Sequence, residues 1–400
     1  SPTASLACVL PASGCTLGSL ATGTFSTSGG TVTSNTAGYS EVGAISATLT
    51  DTGYASVDSD DTAASCAGYY ACASAINIGR FVPDHFDTAT NTPQFHTACG
   101  GFTYLGQPFD YTTAPVLTVT AKNAAGATTV NYTGSLFKLA AGGVTGQAYT
   151  AAAGIPEAVS GSLPAPTVTG LGAGVGSVAF SVGDAAASGG LRFARGNSPP
   201  APFDAELTLG FSLADAEGVT PISNPLAFGA ATAGAGIAFD AGKALRFGRL
   251  RLTNTTGSEL RALPVPLTAQ YWNGQGYVAN TADNCTVIAP LAAVAQTSPL
   301  SPGLTFYAQT ADNRLTAGET SASLTSPLVA GSAGLVLGAP GTGNHGYLDL
   351  VADTPAWLKF NWDGVDQSAD GNWLDDNPRA RAAFGKRRGA DSVIIRREIY

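Results

Sequence analysis

Methionine is absent from this chain of 400 residues, and charge is scarce: Asp, Glu, Lys and Arg together make up 12%. The lack of Met reads as the mark of a processed product or a fragment. Ser1-Pro2-Thr3 opens without the basic and apolar regions of a signal peptide. No apolar run approaches the roughly 18 residues of a spanning helix, so no membrane-spanning segment is expected. Basic residues are outnumbered 19 to 28, the net charge is −9 and the pI is 4.7. Neutralising phosphates needs clustered Lys and Arg, so nucleic acid is excluded as a general partner. Histidine occurs three times and HExxH, GxSxG and the P-loop are missing, so the chain is expected not to be an enzyme. Gly341-Thr342-Gly343-Asn344-His345-Gly346 spells GxGxxG. A strand pattern, Tyr347 to Val351, follows it instead of the helix that a dinucleotide site requires.

CxxC is missing too, which argues against zinc and leaves six cysteines for disulfides in an oxidising, extracellular setting. Cys8 with Cys15 and Cys66 with Cys72 are close enough to staple single turns. That leaves Cys99 with Cys285 as the long-range pair, although six cysteines admit many other connectivities.

What the chain has is glycine, 50 residues of it, with 44% hydrophobic residues in short alternating runs. Ile45 to Thr50 alternates apolar and polar, and Val116 to Ala121 does the same. The turn signal Asn123-Ala124-Ala125-Gly126 and the run Thr128 to Tyr132 follow, which predicts a hairpin. Leu263 to Tyr271 keeps period two, with Pro264 and Pro266 on the other face, and predicts an edge strand. Across residues 245–252 the apolar phase slips by one at Gly248, the sequence signature of a β-bulge. Short helices are expected only in the alanine runs near 150 and 290. The resulting fold class is all-β: tandem immunoglobulin-like β-sandwich domains with long Gly/Ala-rich loops. The expected units are residues 1–79, a middle region 80–236, and a C-terminal domain 237–400 with an aromatic core and an acidic loop.

That loop, Asp363 to Asn377, holds the best ligand candidates: Asp363, Asp366, Asp370, Asn372 and Asp375, hard oxygen donors in a glycine-containing run that suits Ca²⁺. The competing reading is a surface loop whose Asp and Asn cap turns. Asp58, Asp60 and Asp61 form a shorter acidic group. Leu358, Phe360 and Trp362 alternate as a core face would, although aromatics on a sandwich can also form a platform for surface glycans. Asn131, Asn254 and Asn284 head glycosylation sequons. Residues 379–400 hold seven basic and two acidic side chains, and their apolar run Val393-Ile394-Ile395 predicts a closing strand of the last domain.

Several of these words occur together in one family. Tyr39-Ser40-Glu41-Val42-Gly43, Gly79 to Phe86, Phe102 to Phe109, Leu245 to Arg249 and the stretch from Trp357 to Gly385 resemble, in order, segments of the MshQ proteins of mannose-sensitive haemagglutinin pilus biogenesis. The resemblance implies a secreted cell-surface protein associated with a type IV pilus, acting as an adhesin or assembly component. Its partners would be pilin or minor pilin subunits, further copies of itself, or surface glycans. The alternative is a self-associating subunit of an extracellular filament or coat, favoured by low charge and Gly/Ala/Thr richness.

Overall fold

A computed structural model of the chain describes residues 3–385 apart from 30, 152–157, 162–164, 184–189, 230–235, 243, 289–303, 308–319, 362–363, 365 and 367–368. Asp363, Trp362, the 290s alanine run and the Val393-Ile394-Ile395 run lie outside the described residues. Among those described, the helices are four single 3-10 turns and every other regular element is a strand. The expected all-β, sandwich-type fold is what forms. The alanine run of the 150s lies, beyond Ala151, outside the described residues as well; Ala151 itself ends the strand Val144–Ala151, which pairs with Leu207–Leu213.

The N-terminal sheet is built on Gly43–Asp51, which pairs antiparallel with Thr3–Leu10 on one edge and with Ile76–Phe81 on the other. Cys8–Cys15 and Cys66–Cys72 are both bonded, each closing a local turn. This sheet is knitted to the next by buried polar groups. Glu41 accepts the N–H groups of Val130 and Asn131 at 3.0 and 3.2 Å, and the Asn131 amide exchanges two 2.8 Å bonds with the Thr16 backbone. Asn131 is thereby 2% exposed, so its sequon is folded out of reach of any glycosylating enzyme.

In the middle region, the strand order is Thr167–Gly172, Val175–Ala179, Val116–Lys122, His85–Thr90. The pattern read in Val116–Lys122 is that of a strand with one face in the core: Leu117, Val119 and Ala121 are buried and the residues between them are not. The predicted hairpin partner is different, however. Asn123–Gly126 makes its turn, but the returning run keeps only the bridge Lys122↔Thr128 and the bond from Thr129 N to Ala121 O. Both edges of the strand are taken by distant partners, 85–90 and 175–179. These residues share one core with Leu207, Leu209, Phe211 and Leu213 of the facing sheet and with a ring cluster of Phe95, Phe109, Tyr111 and Phe239.

The C-terminal region sets the sheet of Gly248–Leu252, Leu267–Trp272 and Tyr277–Ala279 around a second core with a four-stranded sheet. That sheet runs Thr255–Gly257, Arg379–Phe384, Gly346–Ala352, Leu304–Tyr307. The predicted edge strand at 263–271 divides. Leu263–Pro264 is an edge strand against Val336–Leu337, while Leu267–Trp272 is central, paired on both sides. Gly248 marks a change of sheet and not a bulge. Ala244–Arg246 pairs with Thr103–Tyr104 and Phe203–Asp204, and Gly248–Leu252 pairs with Leu267–Trp272. The phase slip lets Phe247 face the first core and Leu250 the second. A Cβ at Gly248 would lie 2.4 Å from the Tyr104 ring and 2.7 Å from Leu358, so only glycine fits the crossing.

Candidate functional site

Three places gather chemistry-bearing side chains: the junction between the two cores, a groove on the C-terminal sheet, and the acidic loop.

The junction is built by Cys99 to Tyr104, which leave the middle region and bury Cys99, Phe102 and Tyr104 in the second core. Cys99 is bonded to Cys285 across a separation of 186 residues. Beside the disulfide lies Asp283, 0% exposed. One of its oxygens accepts the N–H of Thr286 at 2.9 Å and of Cys285 at 3.2 Å. The other accepts the Tyr104 and Thr286 hydroxyls, both at 2.8 Å. Four donors therefore compensate a carboxylate that would otherwise be costly to bury. The Asn280 amide donates to the Tyr104 oxygen at 2.6 Å and accepts from Arg246 at 2.5 Å. The Arg246 guanidinium is held between the rings of Phe102 and Tyr271, 4.4 and 4.7 Å from their centroids. Burial and the Asp283 charge push the Tyr104 hydroxyl well above the ordinary tyrosine range, so it serves as a neutral donor. Among the described residues, Cys99, Asp283 and Cys285 are the one trio with metal-ligand spacing. Their two sulfurs are bonded to each other, which makes the trio a staple.

The groove, about 530 Å³, opens over the outer face of the C-terminal sheet. Arg381 forms a two-pronged pair with Asp349 at 2.7 and 2.9 Å and lies 4.0 Å over the Tyr347 ring. The pairing with Asp349 raises the Arg381 pKa, so the cation is permanent. Asn254 accepts the Arg381 backbone N–H at 2.7 Å, and exposed His345 borders the groove. Planar polar side chains beside an aromatic ring are the contacts a sugar or a polar peptide uses.

In the acidic loop, Asp366 accepts the N–H groups of Ala369 and Gly371 at 2.7 and 2.6 Å. Asp370 accepts Asn372 N–H at 2.7 Å, and Asn372 accepts Leu374 N–H at 3.0 Å. These are turn caps. Asp375 is half-buried and Asp376 buried. The structure does not bring three acidic ligands of this loop together among the described residues. Asp58 sits in an exposed 3-10 turn, with Asp60 and Asp61 exposed beside it.

Two arrangements were not signalled by any motif. Asp240 accepts from Thr97 N, Thr97 Oγ1, Thr112 Oγ1 and His96 Nδ1, all at 2.8–2.9 Å. Partial burial works to raise its carboxyl, but these bonds outweigh it and hold the group well below the usual carboxylate range. The hydroxyl of Thr112, at 3.3 Å, meets the same His96 ring nitrogen as Asp240. Asn361, 3% exposed, has neither amide atom hydrogen-bonded. An Asn within an otherwise alternating aromatic run was its only trace in the sequence.

Among the described residues, no helix is long and apolar enough to cross a membrane. No curated protein matches the chain. Family models do: one for the third domain of DUF6701 matches residues 41–242, and one for its fourth domain matches residues 246–399. The join between them, 243–245, falls where the strand Ala244–Arg246 leads into the Gly248 crossing. The chain belongs to the DUF6701 family, of which it carries the third and fourth domains.

Proposed function

We propose that this protein works outside the cytoplasm as a cell-surface component of a type IV pilus system of the mannose-sensitive haemagglutinin kind, as an adhesin or an assembly factor. The observation that carries the reading is the ordered series of MshQ-like segments from Tyr39 to Gly385, nearly all of it inside the two DUF6701 matches at 41–242 and 246–399. Three disulfides and the absence of free cysteines among the described residues fit an oxidising compartment. In this reading pilin or minor pilin subunits are the protein partners. The groove around Tyr347 and Arg381 is the surface offered to glycans. Immunogold labelling of native cells tests it. Label along or at the tips of pili is the expected result, and label confined to the cytoplasm would end the reading.

A second reading, self-association into a filament or coat, rests on Thr3–Leu10. This eight-residue strand pairs on one side only among the described residues, and its outer edge is free to add a strand. Ordered homopolymers in micrographs of the purified protein would favour this reading over the accessory role.

A further inference from the structure

Thr3–Leu10 lies at the edge of the N-terminal sheet, and the register of its one pairing sorts its side chains between two faces. Leu6 stands opposite Ala47 and Cys8 opposite Ile45, and both partners are buried. Residues directly opposite share a face, so Ala4, Leu6 and Cys8 belong to the inner face. Thr3, Ser5 and Ala7 belong to the outer face, opposite Thr50, Thr48 and Ser46. Thr3, Ala4, Ser5 and Ala7 are exposed. The ladder runs unbroken from Thr3 to Cys8, and its register shifts only after Cys8.

Proteins blunt long edge strands with charge, proline or a bulge. None of the three falls between Thr3 and Cys8, and the first charged residue of the chain is Glu41. Two other long edge strands, Val144–Ala151 and Thr167–Gly172, are interrupted by register shifts between Thr145 and Ala148 and between Gly170 and Gly172. Thr3 to Cys8 is thus the edge best fitted to take another strand. Without charge it has nothing to select a charged strand. It fits an uncharged strand of small and apolar side chains, which is its own composition. Set antiparallel to a second copy about a two-fold axis at Leu6, inner residues meet inner and outer meet outer. Leu6 faces Leu6, Ala4 faces Cys8, and Ser5 faces Ala7. No like charges meet. A register one residue away would set inner side chains against outer ones.

We infer that a second copy of this chain pairs along Thr3–Cys8 in that register, joining two N-terminal sheets into one continuous sheet. The inference rests on the self-association reading and names its partner and its geometry. An isologous contact closes after two copies, so this edge makes a dimer, and a filament or coat needs a further contact elsewhere. A contact along one short strand is small, and a dissociation constant of roughly 10 µM is expected.

Sedimentation of the full chain, from well below to well above that concentration, tests the pairing. The mass should rise from 40.0 kDa toward twice that value. Ser5→Lys places a cation on each copy beside the axis and should weaken the dimer about tenfold or more. Ala7→Glu alone should do the same. In the double variant Ser5→Lys/Ala7→Glu, opposite charges face each other twice, and pairing should recover by about tenfold over Ser5→Lys at low salt. That recovery also shows that the variants fold and that position 5 meets position 7. A dimer indifferent to Ser5→Lys uses another surface, which overturns this inference and leaves self-association standing. Weakening without recovery in the double variant overturns the register. Species larger than a dimer that Ser5→Lys abolishes overturn the closed pairing and favour the filament. A parent that stays at 40.0 kDa throughout overturns both this inference and the self-association reading, and leaves the edge to a strand of another protein.

Discussion

Residues buried with their polar groups intact carry much of what is particular to this molecule. Asp240 is one whose energetics can be read by titration. A carboxyl whose folded pKa lies below its unfolded value, about 3.9, stabilises the fold at pH above that value. The contribution is lost as pH falls toward the folded pKa. Asp240 is held well below the ordinary range by Thr97, His96 and Thr112. The parent chain should therefore lose stability progressively below about pH 4. Asp240→Asn should be less stable at neutral pH and should show a smaller loss on acidification. Denaturant midpoints measured between neutral and acid pH check this, and parallel curves for parent and variant would remove Asp240 from the account. Asn131 teaches a related lesson: its sequon is legible in the sequence, but its burial against Thr16 and Glu41 is a tertiary fact.

At the scale of elements, Gly248 is where one strand run serves two sheets. Alternation predicted strand on both sides of it and a slip of one residue between them, and both occur. What alternation does not hold is the destination of each half. The reason is that pairing partners lie far away in sequence: 103–104 and 203–204 before the glycine, 267–272 after it. The Tyr104 ring and Leu358 fill the space where a Cβ would stand. Gly248→Ala should destabilise the chain by about 1–3 kcal/mol through overpacking, read as a lower urea midpoint. An unchanged midpoint would mean that the crossing has slack. The same reasoning covers the lost hairpin at 116–132. The turn residues act locally and form, but strands 85–90 and 175–179 compete better for the edges.

For the whole molecule, the two family domains are not beads on a string. Tyr104, Phe102 and Cys99 come from the third domain and lie in the core of the fourth, and Arg195 donates to the carbonyls of Lys359 and Gly248 at 2.7 Å each. The Cys99–Cys285 bond covalently closes that union over 186 residues. In the chain-entropy model a loop of that length stabilises by about 5 kcal/mol. Replacing both cysteines by serine should lower the denaturant midpoint by the equivalent of about 2–5 kcal/mol. Non-reducing peptide mapping of the parent should recover Cys99 and Cys285 in one linked peptide. Either cysteine found as a free thiol would break this account.

The sequence by itself determined the fold class, because period-two alternation and β-branched, glycine-punctuated runs admit little else. It also pointed to oxidised cysteines and favoured two local pairs by proximity, but left other connectivities open until the structure placed Cys99 against Cys285. It placed acidic oxygens in the 363–377 loop, since composition is local. Tertiary structure alone decided which strands pair, because an alternating strand matches many partners and only a shared core selects among them. It alone put Asp283 beside the long-range disulfide, joined Asp240 to residues more than a hundred positions away, and left Asn361 buried and unsatisfied at the neck of the acidic loop. Burial and hydrogen-bond satisfaction belong to the packed molecule, and no spacing along the chain encodes them.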